Sequence, residues 1–210
     1  MKLQYLVRAV SLVLVVSCGG GGDDGTGPGG NQNQTLASIR LVINTFSLNA
    51  GQTATLAPQA LDASGAVIAN VTGYTFSSST ASVAETRGDG TILAVGAGSA
   101  TITVALSRDG VTANATASVT VAGALPTGAS VTAGTDNRFT PQTVVVARNA
   151  SVTFSFAAVV HNVTYASAAG APSNIPNTSN SSVSRTFPSA GDFSYECTIH
   201  AGMTGTVVVR

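Results

Sequence analysis

The chain has 210 residues with nine basic and nine acidic side chains, so its formal net charge is zero. Charged residues make up only 9% of the chain, and no lysine follows Lys2. A nucleic-acid-binding protein needs a basic surface that displaces counterions from phosphates, and this composition excludes such a protein. The low charge also argues against strong electrostatic steering of a partner.

The first residues are typical of an export signal. A basic start precedes an apolar run at residues 9–16, which is shorter than the ~20 apolar residues that a membrane-spanning helix requires. The run ends in VVSC, which resembles the lipobox whose cysteine is lipidated and becomes the mature N-terminus. We predict a lipoprotein signal peptide at residues 1–17 and a lipid anchor on Cys18. The anchor predicts a bacterial cell-envelope location, on the periplasmic side or the outer surface, and Gly19 favours the outer membrane over the inner one.

The segment that follows the anchor, residues 18–37, is rich in glycine, asparagine and glutamine and has very few apolar side chains. Such a segment cannot bury enough apolar surface to offset the entropy cost of ordering the chain. We therefore expect a flexible linker, which would allow the following domains to move near a membrane surface.

The rest of the chain consists of short runs rich in Val, Thr, Ile and Ser, and it shows no long helical periodicity. The segments SATITV (99–104) and SVTFSF (151–156) alternate apolar and polar side chains, as half-buried strands do. This pattern predicts an all-β fold with two β-sandwich domains. Glycines and a proline interrupt the strand pattern at residues 122–129, so we place the boundary near Pro126.

The first predicted domain spans residues 38–122 and contains no histidine or cysteine. Its segments LNAGQTATLAPQALDASGAVI and AVGAGSATITV resemble the bacterial group 2 immunoglobulin-like domain. The resemblance implies an immunoglobulin-like sandwich that acts as a spacer or adhesive module. The acidic residues of this domain lie beside glycines or turn residues, where acids usually solvate loops, so we expect no catalytic residue here.

The second predicted domain, residues 126–210, holds all the remaining soft donor side chains. Once the initiator methionine and the anchor cysteine are set aside, the chain retains one cysteine, two histidines and one methionine. Three of these four, Cys197, His200 and Met203, occur in the single segment YECTIHAGM. The fourth, His161, lies upstream in VVHNVTY.

The segment around the cysteine predicts a strand followed by a loop. Alternation in DFSYEC directs the cysteine inward with the aromatic side chains, and residues 206–209 form the next strand. Residues 197–205 are then a loop that carries three donors, and Gly202 and Gly205 allow a tight wrap. A strand end at the same pole of a sandwich can bring His161 to the position that the loop leaves open.

Two imidazoles and a thiolate with a distant thioether are the donor set of a type 1 (blue) copper site. Thiolate and thioether favour Cu(I) and imidazole accepts both oxidation states, so a rigid site of this kind needs little rearrangement during electron transfer. Zinc sites rarely use methionine, iron–sulfur clusters need more cysteines, and covalent haem needs a second one. We predict one type 1 copper per chain with four ligands: His161, Cys197, His200 and Met203.

Three segments of this domain, FTPQTVVVARNASVTFSF, HNVTY and GDFSYECTIHAGMTGTVVV, resemble the signature regions of cupredoxins of the plastocyanin and amicyanin type. The resemblance implies a Greek-key sandwich and the same four copper ligands. It also implies that Asn162 hydrogen-bonds toward Thr198 and ties the two ligand segments together. By the same resemblance, His200 presents its ring edge at an apolar patch where a redox partner protein docks.

These features predict a lipid-anchored carrier of single electrons rather than an enzyme. Copper oxidases and copper nitrite reductases need further histidines for a second copper centre, and both histidines of this chain are already used. Two other functions stay open. A protein that captures and delivers copper would use the same ligands but release the metal to an acceptor. A surface adhesion module would retain the site only as a vestige or a structural element.

Overall fold

Strands account for all the regular secondary structure in the described part of the chain. A computed structural model describes residues 34–210, which contain eighteen β-strands and no α-helix. The prediction of an all-β fold is confirmed. None of the described residues belongs to a helix that is long and apolar enough to cross a membrane. The predicted signal peptide, the lipidation site Cys18 and the linker as far as residue 33 lie outside the described residues.

The first nine strands pair with one another and, within residues 34–210, with no later strand. They are β1 (Ser38–Leu41), β2 (Thr45–Asn49), β3 (Thr53–Thr55), β4 (Pro58–Leu61), β5 (Thr75–Ser78), β6 (Ala84–Thr86), β7 (Thr91–Ala94), β8 (Gly98–Arg108) and β9 (Val111–Ala122). They form a four-stranded sheet in the order β2-β9-β8-β5, a three-stranded sheet β3-β7-β6, and the pair β1-β4. We refer to β1–β9 as the first half.

Side chains from all three sheets of the first half form one largely aliphatic core. In β8, Ala100, Ile102 and Val104 are buried and Thr101 is exposed, as the alternation in the sequence predicts. The core also includes Leu36, which is 2% exposed although the linker prediction extends to residue 37. The packed structure therefore begins before residue 38, because this one apolar side chain reaches the core.

The last nine strands make up the second half of the described region. They are β10 (Gly128–Ala133), β11 (Phe139–Thr140), β12 (Thr143–Val146), β13 (Ala150–Phe156), β14 (His161–Tyr165), β15 (Ile175–Thr178), β16 (Ser181–Phe187), β17 (Gly191–Glu196) and β18 (Thr204–Val209). They form a four-stranded sheet β11-β10-β13-β16 and a five-stranded sheet β12-β18-β17-β14-β15. Two parallel pairs, β10 with β13 and β12 with β18, occur among antiparallel neighbours.

Aromatic side chains occupy much of the core of the second half. In β13, Val152, Phe154 and Phe156 are buried, as the sequence alternation predicts. The ring of Tyr195 in β17 packs edge-on against Phe139 and Phe154, with centroid distances of 4.9 Å and 5.3 Å. Such edge-to-face contacts have a defined geometry. They fix the strand that leads into the predicted ligand loop.

A small apolar cluster joins the two halves. Leu93 of β7 packs with Val145 of β12 and Val208 of β18, and all three side chains are almost fully buried. The change of pairing partners falls between β9 and β10, and residues 34–210 together form one compact unit. The division into separate domains near Pro126 stays a prediction.

Four charged side chains lie at the contact between the halves. Arg210 donates two hydrogen bonds of 2.6 Å to the carboxylate of Glu85 and one of 2.9 Å to Asp192. Arg87 contacts the other carboxylate oxygen of Asp192 at 2.5 Å. Burial raises the pKa of Asp192, but hydrogen bonds from the two arginines outweigh burial and hold this pKa below its ordinary value. The Arg210–Glu85 and Arg87–Asp192 pairs each connect one half to the other.

Candidate metal centre

Two neighbouring strands bring the predicted ligand segments to the same end of the five-stranded sheet. β14 begins at His161, and β17 ends at Glu196, directly before Cys197. The two strands are antiparallel, with Thr164 opposite Glu196, so the start of β14 lies beside the end of β17. Residues that are 36 positions apart in the sequence therefore meet.

The three donors after β17 lie on a short closed loop. The amide of Cys197 donates to the carbonyl of Met203 at 2.9 Å, and the amide of His200 donates to the carbonyl of Cys197 at 3.2 Å. The prediction that the loop extends to residue 205 is wrong. β18 begins at Thr204, because Thr204 and Gly205 already pair with the end of β17. The loop consists of residues 197–203.

Gly202 and Gly205 are required for different reasons. Gly202 has a φ of +78°, in the left-handed region that favours glycine, and it turns the loop. Gly205 lies in β18 directly opposite Tyr195, and a Cβ at this position would overlap the phenol ring of Tyr195. Gly205 is therefore needed for the close approach of the Tyr195 ring rather than for a turn.

Three of the four predicted ligands converge through their donor atoms. The Sγ of Cys197 lies 3.5 Å from Nδ1 of His200 and 3.8 Å from Nδ1 of His161, and the two nitrogens are 3.1 Å apart. Nitrogen and sulfur ligands of a first-row metal ion lie at roughly 2.0 Å and 2.3 Å from it. Donor atoms at these separations can therefore share one ion.

Hydrogen bonding selects the tautomer of His161. Its Nε2 lies 3.0 Å from the carbonyl oxygen of Gly134. A carbonyl oxygen only accepts hydrogen bonds, so Nε2 carries the proton and the Nδ1 lone pair faces Cys197 and His200. Burial lowers the pKa of the imidazole and outweighs the hydrogen bond to Gly134, which raises it. The ring is thus held neutral, which is the form that binds metals.

Asn162 connects the histidine segment to the cysteine loop. Its backbone amide donates to Cys197 Sγ at 3.5 Å. Its side-chain Nδ2 donates to Thr198 Oγ1 at 2.8 Å, and its Oδ1 accepts from the Thr198 amide at 2.9 Å. These contacts join the two segments, and the role of Asn162 and Thr198 beside a metal stays a prediction.

Met203 and His200 differ in exposure. Met203 is 2% exposed and belongs to the core of the second half, and its role as a ligand stays a prediction. His200 is half-buried, and the adjacent Ile199 is 46% exposed. Val160, which precedes His161, is 43% exposed. The donor cluster therefore reaches the surface at His200, and exposed apolar side chains adjoin two of the predicted ligands in the chain.

Two residues that support the site, Gly134 and Asn177, are absent from the sequence prediction. Gly134 contributes only its backbone carbonyl, which every residue possesses. Asn177 accepts a hydrogen bond of 3.0 Å from Asn162 Nδ2, but it is one of several asparagines in a polar segment. Only the pairing of distant strands reveals either contact, so the sequence offers no signal for them.

The donor chemistry of the cluster fits one copper ion. Cys197 is buried and free, and a thiolate is a soft ligand that suits Cu(I). The two imidazole nitrogens suit either oxidation state, and the methionine sulfur on the same loop is another soft donor. His161, Cys197 and His200 are the residues that would hold the ion in a type 1 site.

No protein-family model and no curated protein matches the chain. Several solved structures are similar to parts of it. A mutant plastocyanin of a fern is 24% identical, with 39% of this chain and 99% of that chain covered and a TM-score of 0.35. The reduced Cu(I) form of an amicyanin mutant is 28% identical, with 40% and 82% covered and a TM-score of 0.35. A copper-containing nitrite reductase from Thermus scotoductus is 22% identical, with 43% and 24% covered and the same TM-score.

Proposed function

We propose that this protein is a type 1 copper protein that carries single electrons, with one copper cycling between Cu(I) and Cu(II). The convergence of Cys197 Sγ with the Nδ1 atoms of His161 and His200 is the observation that supports it most. The bound copper supplies the one-electron couple. The protein supplies a donor arrangement that changes little between the two states.

The surroundings of the donors suit this role because each ligand segment is held by contacts of its own. The Gly134 carbonyl orients His161, and the backbone amide of Asn162 donates to the sulfur of Cys197. Hydrogen bonding to a cysteine sulfur is one of the factors that tune the potential of blue copper sites. Fixed ligands lower the structural rearrangement that accompanies each electron transfer.

The test of the copper site is addition of Cu(II) to the purified full chain, followed by visible absorption and electron paramagnetic resonance spectra. We expect an intense thiolate-to-copper absorption band. Cys197→Ser should abolish this band, and Met203→Leu should keep the colour while raising the reduction potential. A wild-type protein that stays colourless after full loading would rule out the type 1 site.

A redox partner protein would dock over His200, where exposed apolar side chains adjoin the cluster. Ile199→Glu would place a charge on this surface and should slow electron self-exchange between copies of the copper-loaded protein. Ile43→Glu is the matched control, because Ile43 is also exposed, at 59%, but belongs to the first half. Equal rates in the two variants would contradict docking at His200.

We propose further that a lipid on Cys18 anchors the carrier in the bacterial cell envelope, facing the periplasm or the outer surface. The lipobox-like VVSC sequence supports this placement. Cys18→Ser should release the protein from the membrane fraction and prevent incorporation of labelled fatty acid. Retention of the variant in the membrane fraction would contradict the anchor.

A second function, capture and delivery of copper, is supported by the partial exposure of His200. A ligand at the surface gives an acceptor protein access to the metal. Repeated oxidation and reduction in the presence of a Cu(I) chelator separates the two functions. An electron carrier should retain its copper through many cycles, whereas a delivery protein should lose it to the chelator.

A further inference from the structure

The edge strand beside the histidine has an irregular position opposite Asn162. β14 and β15 are antiparallel, but their register shifts between His161 and Val163. As a result, two residues of β15, Pro176 and Asn177, lie opposite the single residue Asn162. An extra residue in one strand re-aims a side chain, and proline has no N–H to contribute to the ladder. This bulge allows the Asn177 side chain to reach Asn162.

The hydrogen bonds of the Asn162 side chain leave its amide one orientation. The backbone amide of Thr198 can only donate, so the Asn162 oxygen must face it. The two hydrogens of Nδ2 then point to Thr198 Oγ1 and to Asn177 Oδ1, at 2.8 Å and 3.0 Å. Asn162 is only 8% exposed, so its polar atoms depend on these protein partners.

We propose that Asn177 is a positioning residue for the metal centre and acts through Asn162, an inference that rests on the proposed copper function. Asn162 holds the cysteine loop by its backbone contact to Cys197 Sγ and by its side-chain contacts to Thr198. Asn177, in β15, accepts a hydrogen bond from the side-chain amide of Asn162 and limits the rotation of that side chain. Asn177 thereby fixes the distance between β14, which begins at His161, and the sulfur of Cys197 without touching the metal.

The exposure of Asn177 makes this role separable from folding. Asn177 is exposed, so water can replace its side-chain oxygen, and Asn177→Ala should fold with only a small fall in the midpoint of thermal unfolding. Asn174→Ala is a matched control. Asn174 is also exposed and also accepts a hydrogen bond from β14, from the amide of Tyr165 at 3.0 Å. Tyr165 is at the opposite end of β14 from His161.

The first measurement is hydrogen exchange of the Thr198 amide in the metal-free full chain. Asn177→Ala should accelerate this exchange, and Asn174→Ala should not. Asn177→Asp keeps an oxygen acceptor for Asn162 and should restore the protection. The second measurement is the dissociation constant for Cu(I), which Asn177→Ala should raise by about two- to tenfold, the effect of one neutral hydrogen bond.

The thiolate-to-copper band should also shift in Asn177→Ala and not in Asn174→Ala. Only Asn177→Ala is expected to change the distance from the backbone amide of Asn162 to Cys197 Sγ. Exchange, affinity and band position equal to those of the wild type would overturn the positioning role. Equal changes in both variants would overturn it as well. A wild-type chain that gives no blue band with copper would instead overturn the copper function, whatever the exchange experiment shows.

Discussion

The two halves of the protein share an all-strand architecture but fill their cores differently. The first core consists mainly of leucine, isoleucine, valine and alanine, and Phe46 and Phe76 are only partly buried against it. The second core has seven buried aromatic side chains: Phe139, Phe154, Phe156, Tyr165, Phe187, Phe193 and Tyr195. Interlocking rings have defined contact geometry, whereas aliphatic cores repack more readily. The more specific packing occurs in the half that contains the candidate metal centre.

One group of these rings surrounds the strand that leads into the candidate metal centre. Tyr195 contacts Phe139, Phe154 and Tyr165 and lies two residues before Cys197 in the chain. The first half has no comparable constraint because it contains no histidine or cysteine. We infer that the aromatic core keeps β17, the strand that precedes Cys197, in place. The following substitutions test this difference between the halves.

The largest effect is expected from Phe154→Ala. Phe154 is fully buried and packs against Tyr195, so its removal should lower the free energy of unfolding by about 3–5 kcal/mol. Loss of the ring contact should also broaden the thiolate-to-copper band, because Tyr195 lies near the end of β17, the strand that leads directly into Cys197. Urea unfolding and visible spectra measure the two effects.

Ile102→Ala is the corresponding change in the first half. Ile102 is fully buried in β8, and the change should lower the free energy of unfolding by about 2–5 kcal/mol. The copper band should keep its position and width. If Ile102→Ala altered the band as much as Phe154→Ala, the proposed difference between the two cores would be wrong.

The next effect concerns the contact between the halves. Arg210→Ala removes the hydrogen bonds to Glu85 and Asp192 and should lower the free energy of unfolding by about 1–2 kcal/mol, because solvent partly screens these groups. Calorimetry should then resolve two transitions in place of one. Arg108→Ala removes the more exposed pair with Asp109 and should leave the calorimetric profile unchanged.

The same contact predicts that the free energy of unfolding depends on pH in the acidic range. Burial raises the pKa of Asp192, but hydrogen bonds from Arg87 and Arg210 lower it further, so its pKa in the folded state is depressed. Such a group stabilises the fold above its unfolded pKa of about 3.9, and the contribution is lost as the pH falls through the lower, folded value. The free energy of unfolding should therefore fall more steeply below about pH 4 in the wild type than in Asp192→Asn. Parallel pH profiles would contradict this prediction.

The smallest effect is expected from Tyr195→Phe. The Tyr195 hydroxyl is buried and has no hydrogen-bond partner among the described residues. Its removal should leave the free energy of unfolding unchanged or raise it by up to about 1 kcal/mol, because an unpaired polar group is no longer buried. A loss of more than about 1 kcal/mol on urea unfolding would show that the hydroxyl is paired, for example with water.

The parts of the fold that the sequence predicts are local. The strand faces of SATITV and SVTFSF follow from alternation, because side chains on a strand point to opposite sides in turn. The candidate ligands stand out because soft donors are so scarce in this composition. Three of them lie on one loop, which is again a local feature.

The features that the sequence does not reveal depend on distant pairing. The Arg210–Glu85 contact joins residues 125 positions apart, and the acidic and basic side chains of the chain give no indication of their partners. The bulge that directs Asn177 toward Asn162 arises from the register of two strands. The sequence predicts the end of the ligand loop two residues too late, because alternation along one strand does not give the register in which Thr204 and Gly205 pair with β17.

The close approach of Tyr195 to Gly205 has an evolutionary consequence. A side chain at position 205 can be accommodated only if position 195 carries a smaller residue, because the ring fills the space where a Cβ would lie. Among homologues, the two positions should therefore change together. Gly205 contributes no side chain to the site, but it would then be conserved together with Tyr195, the aromatic residue that supports the cysteine.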